Sequence, residues 1–405
     1  MLNVITLAEA EAVARSLGER TKLNTTEVPL SGACGRILAE PLRNKENVPA
    51  FRRSTIDGYA LFAPDSYGAS ESSPVPLLIT GEVLMGQAAE MKGKKGACVR
   101  IPTGGMLPEG YNAVIPVEYT EEDGFGNCLL SKSVSPLENV TNVGDDVKEG
   151  ETILPAGTLL APLHIGVLAA AGFAEVPVIK KLKVGVISTG NEIVGVEQNP
   201  LPGQVRDVNT HLLSALCEQM HCEVTSYGVI ADEKTVFTDT LLRAANENDA
   251  VLLSGGSSAG TMDLTAETID AAGDLFVHGV AVKPGKPTLI GRVGNSAVFG
   301  LPGHPAAAYF ITLSVVKAFI EAVYGIDMPE KTVTARLTEH VSSNHGREEF
   351  LCVSLKNSDA TPVYGKSGVI SQLTRSDGYL LISRNSEGLA AGTAVTVRLF
   401  GEGII

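Results

Sequence analysis

Hydrophobic and polar positions change their period along the chain, and the changes mark segments of different architecture. The first twenty residues place apolar side chains at helical spacing among Glu and Arg, which predicts an amphipathic helix. From about 44 to 137, short apolar runs alternate with Gly and Pro, which predicts a small β domain. From 330 to 405, short strand-like runs return without helical periodicity and predict a second small β barrel.

Between these segments, from Lys181 onward, fully apolar strands alternate with amphipathic helices. KVGVIST and DAVLLSG have the composition of buried strands, whereas HLLSALCEQMH and DEKTVFTDTLLRAANEN have helical spacing. This alternation predicts a mainly parallel sheet with helices on both faces. Ligands bind such sheets at the carboxyl ends of the strands, so we expect functional residues in the loops that follow them.

The overall composition narrows the choice of partner. Lys and Arg total 32 against 46 Asp and Glu, a formal net charge of −14, so neither nucleic acid nor an anionic membrane is an expected partner. The six cysteines form no CxxC pair, which indicates reduced structural thiols. The first residues do not have a secretory leader pattern, and we expect no apolar run near about 18 residues. These features predict a soluble cytoplasmic protein.

A Gly- and Ser-rich loop connects the strand DAVLLSG to a predicted helix. Its residues are Ser254, Gly255, Gly256, Ser257 and Ser258. Successive glycines allow backbone N–H groups to converge on an anion, and the helix N-terminus that follows adds positive potential. The same residues also suit a tight turn without a ligand. Asp263, a few residues on, is either a helix cap or a ligand of metal or substrate.

The segment VKPGKPTLIG places Lys283 and Lys286 around Pro284 and Gly285, which favours a type II turn with Gly at positive φ. Two lysines on one rigid turn form a compact cationic site, which an acidic protein needs in order to bind an oxyanion or a phosphate. A solvated surface turn is the alternative. The flanking prolines favour the functional interpretation.

The segment FGLPGHPAAAYF leads from a strand into a long helix through Pro302, Gly303 and Pro305. Proline at a helix start is ordinary capping chemistry, so a purely structural role competes with ligand contact. His304 in the same turn either contacts a ligand or satisfies a neighbouring carbonyl group. The pattern alone leaves both alternatives open.

Several carboxylates lie on predicted loops. Glu192, Asp207 and Asp232 belong to the α/β segment, where they could converge on Mg²⁺ at a phosphoryl group. Asp57 in the β domain is expected near the turn RIPTGG, which presents Thr103. Each acid considered alone is more simply explained as a helix cap or a surface residue.

Taken in order, these segments resemble the molybdopterin molybdenumtransferase family, which includes MoeA and the gephyrin E domain, over nearly the whole chain. FRRSTIDGYA is similar to the family's S-x-x-D-G-Y-A segment, and RIPTGGMLPEGYNAVIPVE to its T-G-x-x-x-P-x-G-x-x-x-V box. GDD at 144–146 is similar to its G-E-D turn. STGNEI, SGGSSAGTMD, KPGKP and LPGHP resemble its T-G-D-E-L, S-G-G-V-S-x-G-x-x-D, K-P-G-K-P and P-G-N-P elements.

The resemblance implies a multidomain α/β and β fold. Its parts would be a MogA-like three-layer α/β/α domain with a mainly parallel sheet, a split elongated domain and two small β domains, one a C-terminal barrel. The implied boundaries are 1–43 and 138–179 for domain I, 44–137 for domain II, 180–326 for domain III and 327–405 for domain IV. The resemblance also implies a homodimer whose site joins domain III of one subunit to domains II and IV of the other.

The resemblance further implies a molybdenum insertase, which transfers molybdate to adenylyl-molybdopterin and releases AMP with the help of Mg²⁺. The implied catalytic residues are Asp57, Thr103, Glu192, Asp232 and Asp263, of which the first two would come from the partner subunit. The pterin phosphate would bind the loop from Ser254 to Ser258. Further ligand contacts would come from Lys283, Lys286, Pro302, Pro305, Arg347 and Ser367. The implied metal ligands are Asp207 and Asp232.

The chain departs from the family pattern at particular positions. His304 stands where P-G-N-P has Asn, Asn191 stands where T-G-D-E-L has Asp, and Ser257 replaces a small apolar residue of the Gly-rich loop. A preference for tungstate therefore stays open. Two other functions are alternatives: a molybdopterin adenylyltransferase, whose architecture domain III shares, and a non-catalytic dimeric scaffold related to gephyrin.

Overall fold

The computed structural model describes residues 4–255 and 259–400. It has the multidomain α/β and β fold that the sequence predicts. Helix α1 (Leu7–Arg20) opens with a capping box, in which Glu9 N–H donates to Thr6 Oγ1 at 3.2 Å and Thr6 N–H donates to Glu9 Oε2 at 2.8 Å. The amphipathic helix predicted at the start of the chain is confirmed.

Short strands dominate residues 21–180. The elements are β1 (Thr25–Pro29), a 3₁₀ turn (Leu30–Gly32), β2 (Leu42–Arg43), β3 (Arg53–Ser54), β4 (Gly58–Leu61), a 3₁₀ turn (Ala63–Ser66), β5 (Val75–Glu82), β6 (Ala97–Ile101), β7 (Ala113–Pro116), a 3₁₀ turn (Val117–Tyr119), β8 (Thr120–Glu122), β9 (Asn127–Leu130), β10 (Val140–Thr141), β11 (Thr152–Leu154), α2 (Pro162–Ala170) and β12 (Glu175–Ile179). One sheet has the order β7, β4, β6, β5, β9, β8, as expected for a small β domain.

The chain segments before and after this sheet in the sequence pair with each other. β1 pairs antiparallel with β12, and β2 with β11. A hydrophobic cluster that includes Leu38, Leu160 and Val178 joins the same two stretches. The six-stranded sheet is therefore an insertion between β2 and β11.

Strands and helices alternate through residues 183–324. The elements are β13 (Lys183–Thr189), β14 (Ile193–Val194), β15 (Val205–Arg206), α3 (Asn209–Gln219), β16 (Glu223–Ile230), α4 (Lys234–Glu247), β17 (Ala250–Gly255), α5 (Ala259–Ala272), β18 (Gly273–His278), β19 (Val282–Lys283), β20 (Leu289–Val293), β21 (Ser296–Leu301), α6 (Pro305–Ile311), a π-helical turn (Thr312–Val316) and α7 (Lys317–Tyr324). The sheet order is β16, β13, β17, β21, β20, β18. The first four strands are parallel, whereas β20 runs antiparallel to both of its neighbours, β21 and β18. The mainly parallel sheet is confirmed, with an antiparallel edge that the pattern did not reveal.

Apolar side chains cover both faces of this sheet. On one face α3 and α6 bury Leu213 and Phe310, and on the other α4 buries Phe237. Helix α1 joins the first face and packs on α7, where a Cβ on Gly18 would overlap the carbonyl group of Phe319. This close approach explains the glycine in the last turn of α1.

The continuous helix from Pro305 to Tyr324 corrects one expectation. Its 20 residues are long and apolar enough to cross a membrane, although no such run was expected. Thr312 and Ser314 interrupt the apolar sequence, but their hydroxyls donate to carbonyls one turn earlier, at 2.8 and 2.7 Å. Because 72% of its most apolar window is buried, this helix has the burial of a core helix.

The C-terminal segment forms the predicted barrel. Its elements are β22 (Thr332–Leu337), β23 (Val341–Ser342), β24 (Glu348–Lys356), β25 (Asp359–Pro362), α8 (Ser371–Thr374), β26 (Gly378–Ile382), β27 (Gly388–Leu389) and β28 (Ala394–Leu399). Pairing runs from β24 through β25, β22, β28 and β26 back to β24, which closes a barrel of five strands.

The barrel is joined to the α/β segment by backbone pairing and by aromatic packing. Strand β19 pairs with β24, with Lys283 opposite Glu349. Phe310 of α6 stacks on Phe350 of the barrel with ring centroids 4.6 Å apart, and it meets Tyr379 edge-on at 5.2 Å. The lysine-bearing turn that follows β19 is thereby fixed against the barrel.

Candidate functional site

The central sheet has a switch point between β13 and β17. Helix α3 leads from β13 to β16 on one side, and α4 returns the chain to β17 on the other side of β13. At such a point a ligand crevice opens beyond the carboxyl ends of the two strands. Ser188 lies opposite Ser254 there, and Thr189 opposite Gly255. The name carboxyl-edge crevice is used for these four residues, the side chains that are hydrogen-bonded to them and the loops that follow β13, β16 and β17.

The Gly- and Ser-rich loop begins in this crevice. Ser254 and Gly255 end β17 and are buried. Asp263 belongs to the first turns of α5, and its side chain lies outside the described part of the structure. Three residues of the predicted phosphate loop also lie outside the described residues: Gly256, Ser257 and Ser258. The strand, loop and helix follow one another in the order that a phosphate cradle requires.

Asp207 caps the first turn of α3. Its Oδ1 accepts hydrogen bonds from the backbone N–H of Thr210 and from the hydroxyl of Ser188, both at 3.1 Å. The residue is only 6% exposed. Of the roles that the sequence left open for this carboxylate, capping accounts for these contacts.

Asp232 lies on the loop after β16 and faces the end of β13. The Thr189 hydroxyl donates to Asp232 Oδ1 at 2.5 Å, and Asp232 N–H donates to Asn191 Oδ1 at 3.3 Å. The amide oxygen of Asn191, which departs from the family pattern, thus anchors the Asp232 loop. Glu192 lies in the same loop as Asn191 and folds back on Gly190, where an added Cβ would lie 2.8 Å from its Oε2.

The contacts of Asp207 and Asp232 test whether the two acids fit one metal ion. They are held by Ser188 and Thr189, which are consecutive in β13 and therefore point to opposite faces of the sheet. In the ranges that the structure describes, no three His, Cys, Asp or Glu side chains cluster as a metal site. Mg²⁺ commonly needs only one or two carboxylates beside substrate phosphates. The half-buried Asp232 fits that requirement, whereas Asp207 Oδ1 is engaged in capping α3.

Asn209 is a crevice residue that sequence reasoning missed. Its Nδ2 donates to Ser254 Oγ at 2.6 Å and to the Gly303 carbonyl at 2.8 Å. It therefore ties the end of β17 to the turn after β21. The sequence does place an Asn near a predicted helix start, but Asn is common there as an N-cap, so the position alone does not indicate a site residue.

A groove of about 610 Å³ lies beside the crevice, between the loops that follow β13 and β16. It is lined by Gly190, Asn191, Asp207, Thr210 and His211, together with 193–198, Ser226 and 228–231. Its volume is in the range of sites for nucleotide-sized ligands.

A second cavity, of about 240 Å³, lies where the α/β segment meets the barrel. It is lined by the turn 282–287 with Pro302, His304, Ala307, Arg347 and Ser367, and we call it the lysine-turn cavity. It brings together Lys283, Lys286, Pro302, Arg347 and Ser367 of the predicted set, and Pro305 begins α6 beside it. Arg347 and Ser367 belong to the barrel of the same chain. All the described residues that line this cavity therefore come from one chain.

The backbone of the lysine turn differs in part from the sequence prediction. Gly285 has the predicted positive φ, 129°, and a Cβ there would lie 2.7 Å from Ile311 Cδ1, so the turn packs closely on α6. The Lys283–Pro284 peptide bond is cis, however, which a type II turn does not contain.

The two lysines have different electrostatic environments. Lys283 Nζ lies 2.5 Å from Oε1 of Glu349, a carboxylate whose other oxygen accepts from the Ser343 hydroxyl at 2.8 Å. Among the described residues, no ion pair involves Lys286 or Arg347. The lysine-turn cavity therefore carries two uncompensated cations in an acidic protein.

His304 meets a hydroxyl group at the wall of the lysine-turn cavity. Its Nδ1 lies 2.9 Å from Ser367 Oγ. The carbonyl of Ser367 accepts a hydrogen bond from Ala306 N–H at 3.1 Å, which fixes the Ser367 loop to the start of α6. Of the alternatives for His304, this contact favours a position at the ligand site.

Asp57 and Thr103 are in contact, as expected from the sequence. Asp57 Oδ1 accepts from the backbone N–H of Thr103 at 2.7 Å and from its hydroxyl at 2.9 Å. These two hydrogen bonds lower the pKa of the Asp57 carboxyl, which is exposed directly before strand β4 of the six-stranded sheet in the small β domain. Asp57 is therefore an ionised, oriented surface carboxylate at neutral pH.

A larger cavity lies at the opposite edge of the sheet. It measures about 800 Å³ and contains none of the predicted site residues. Its lining includes Lys22, Lys180, Lys183 and Asp249, near the amino ends of the strands. Because open α/β sheets bind ligands beyond the carboxyl ends, we place the functional site at the crevice and the lysine-turn cavity.

Comparisons with known proteins agree along the whole chain. Family models match in order: the MoeA N-terminal region (domain I and II) at residues 5–172, a "Probable molybdopterin binding domain" at 185–322 and the MoeA C-terminal region (domain IV) at 334–400. A molybdopterin molybdenumtransferase of Haemophilus influenzae is 31% identical over 384 residues, which cover 93% of this chain and 94% of that protein. Molybdopterin molybdenumtransferase 2 of Mycobacterium tuberculosis is 30% identical, with 91% and 94% covered.

A solved structure extends the likeness to the fold. The molybdopterin biosynthesis MoeA protein of Pyrococcus horikoshii superposes with a TM-score of 0.84 at 32% identity, and the match covers 98% of this chain and 100% of that one. The similarity thus includes the β modules as well as the α/β segment. The chain belongs to the MoeA family of molybdopterin molybdenumtransferases.

Proposed function

We propose that this protein inserts molybdate into adenylyl-molybdopterin, forms molybdenum cofactor and releases AMP. The names of the relatives from Haemophilus influenzae and Mycobacterium tuberculosis support a transferase acting on molybdopterin. The observation that carries the proposal is the meeting of Lys283, Lys286, Arg347 and Ser367 around one cavity. These residues come from distant parts of the chain, and together they supply cationic and hydroxyl donors.

The size and charge of the lysine-turn cavity suit molybdate. Molybdate is a compact dianion, and Lys286 and Arg347 are two cations without an ion pair in the described ranges. The volume of about 240 Å³ is below the roughly 300–1,000 Å³ of typical small-molecule pockets. It therefore favours a tetrahedral oxyanion over a nucleotide.

The carboxyl-edge crevice would bind the organic substrate. Ser254 and Gly255, with the loop through Ser258, would hold the pterin phosphate at the N-terminus of α5. The adenylate would occupy the neighbouring groove of about 610 Å³. Asp232 directly follows the lining residue Ala231 and is hydrogen-bonded to Thr189 at the end of β13. Glu192 and Asp263 are proposed to act around the same anhydride.

In the proposed reaction, two dithiolene thiols bond to molybdenum and displace one molybdate oxygen, which leaves as water with the two thiol protons, so molybdenum keeps its oxidation state. A water molecule adds to the phosphoanhydride, and this cleavage releases AMP. The substrate supplies the soft sulfur ligands, so no cysteine pair of the protein is required. Mg²⁺, when bound, would neutralise charge on the phosphoryl oxygens. Asp232 is the residue best placed to hold it, whereas Asp207 orients α3 through its cap. The chain's part is to bind and align two anionic reactants.

We further propose a cytoplasmic homodimer in which the Asp57 and Thr103 pair is lent to the partner's site. The exposed, ionised carboxylate supports this role, because it is oriented by hydrogen bonds without being buried within its own chain. The proposed domain limits are 1–43 and 138–179, 44–137, 180–326 and 327–405. The pairing of β1 with β12 supports the split of the first domain.

AMP release tests the proposed function. Purified protein would be mixed with adenylyl-molybdopterin and Mg²⁺, with or without molybdate, and AMP would be quantified by chromatography. We expect release that depends on molybdate. Formation of adenylyl-molybdopterin from ATP and bare molybdopterin would indicate an adenylyltransferase instead, and absence of both activities would favour a scaffold.

A further inference from the structure

His304 lies against the loop of Ser367. Its Nδ1 lies 2.9 Å from Ser367 Oγ, and a Cβ on Gly368 would be 3.6 Å from its Cδ2, an ordinary van der Waals distance. The loop is also bonded to the start of α6 through Ala306 N–H and the Ser367 carbonyl, at 3.1 Å. The Ser367 side chain is therefore held at a defined position in the cavity wall.

The direction of the Ser367 hydroxyl proton depends on the histidine. A hydroxyl has one proton to donate. If His304 Nδ1 accepts that proton, only oxygen lone pairs face the cavity, and these repel an oxyanion. If Nδ1–H donates to Ser367 Oγ instead, the hydroxyl proton is free to point at the bound anion.

We propose that His304 is a positioning residue of the oxyanion site: its Nδ1–H donates to Ser367 Oγ and thereby directs the Ser367 hydroxyl toward molybdate. The inference rests on the proposed function and adds to it. It also explains the departure from P-G-N-P, because an Asn in this turn can present an amide N–H at the place of the ring Nδ1. Both residue types then supply the same donor.

The role is tested with variants of His304 that place a hydrogen-bond donor at the position of the ring Nδ1, place it further from the backbone, or lack it. The probe is molybdate alone, titrated into the purified full chain by calorimetry at fixed pH and salt concentration. His304→Asn should bind molybdate within about threefold of the wild type, whereas His304→Gln and His304→Ala should bind roughly tenfold more weakly. Melting temperatures check that each variant is folded.

A double variant tests whether His304 acts through Ser367. Ser367→Ala should also weaken molybdate binding roughly tenfold, and the combination with His304→Ala should be no weaker than Ser367→Ala alone. His340 provides a matched control, because its Nε2 lies 3.3 Å from Ser342 Oγ on an exposed strand end outside the cavity. His340→Ala should leave molybdate binding unchanged.

The inference would be overturned, with the proposed function intact, by wild-type affinity in His304→Ala and His304→Gln. Independent, multiplicative effects of the His304 and Ser367 substitutions would overturn it in the same way. Weak binding by His304→Asn, equal to that of His304→Ala, would also overturn it, since an amide donor would then fail to replace the ring. Absence of molybdate binding by the wild-type chain would overturn the proposed function itself, and the inference with it.

Discussion

The charged side chains of the carboxyl-edge crevice and of the lysine-turn cavity differ in sign and in their partners. In the crevice, Asp207 and Asp232 are each held by a hydroxyl of the adjacent strand end, Ser188 or Thr189. In the cavity, Lys286 has no ion pair among the described residues, and Lys283 has one with Glu349. In the crevice, neutral hydroxyl groups hold the two carboxylates in place. In the cavity, Lys286 has no carboxylate partner among the described residues.

This difference indicates that the two regions bind different ligands. Fixed acids beside a phosphate loop suit a ligand whose phosphates bring a metal ion. An uncompensated cation in a small cavity suits a free anion that arrives without one. Substitutions in the cavity should therefore act on molybdate, and substitutions in the crevice on the adenylated substrate or on stability.

The largest effect is expected from Lys286→Ala. Removing an uncompensated cation should lower molybdate-dependent AMP release roughly 100-fold, mainly through a higher KM for molybdate. Lys366→Ala is a matched control, because Lys366 is an exposed lysine beside Ser367 that does not line the cavity. Equal activity of the wild type and Lys286→Ala would contradict the role of the cavity.

Asp232→Asn should lower AMP release roughly tenfold or more, because the charge at the phosphoryl group is lost while the amide oxygen still accepts from Thr189. Molybdate affinity, measured by calorimetry, should not change, since Asp232 belongs to the crevice. Asp239→Asn on the exposed side of α4 is the control and should match the wild type. A loss of molybdate binding in Asp232→Asn would contradict the claim that the crevice and the cavity bind different ligands.

Asp207→Ala should act on stability. It removes the cap of α3 and the contact with Ser188, so the free energy of unfolding should fall by about 1–2 kcal/mol. For a domain of this size, that corresponds to a Tm lower by roughly 2–8 °C, measurable by calorimetry. An unchanged Tm with abolished AMP release would instead identify Asp207 as a metal ligand.

The smallest effect is expected from Glu349→Gln. The substitution removes the carboxylate charge that pairs with Lys283, so more positive potential should reach the cavity. Because Lys283 is 47% exposed, solvent screening limits the gain, and molybdate should bind only about threefold more tightly. Weaker binding would show that Glu349 positions Lys283 for the anion.

The fold was largely predictable because it depends on local periodicity. Alternating buried strands and amphipathic helices predicted the central sheet, and short apolar runs between Gly and Pro predicted the two β modules. The antiparallel edge formed by β18 and β20 was not predicted, since strand direction depends on connections that local composition does not determine.

The site was predictable where its residues are neighbours in sequence. Lys283 and Lys286 share one turn, so their proximity followed from the motif. Arg347 and Ser367 were placed only by resemblance, since the pairing of β19 with β24 that brings the barrel to the turn is a tertiary event. The contacts of Asn209 and His304 likewise depend on side-chain geometry across elements.

The most direct test of the account is a crystal structure of the protein with bound molybdate, in which anomalous scattering locates the molybdenum atom. We expect one peak in the lysine-turn cavity, with oxygen atoms within hydrogen-bonding distance of Lys286, Arg347 and Ser367. A peak in the large cavity at the amino edge of the sheet, or in the carboxyl-edge crevice with the lysine-turn cavity empty, would contradict the assignment.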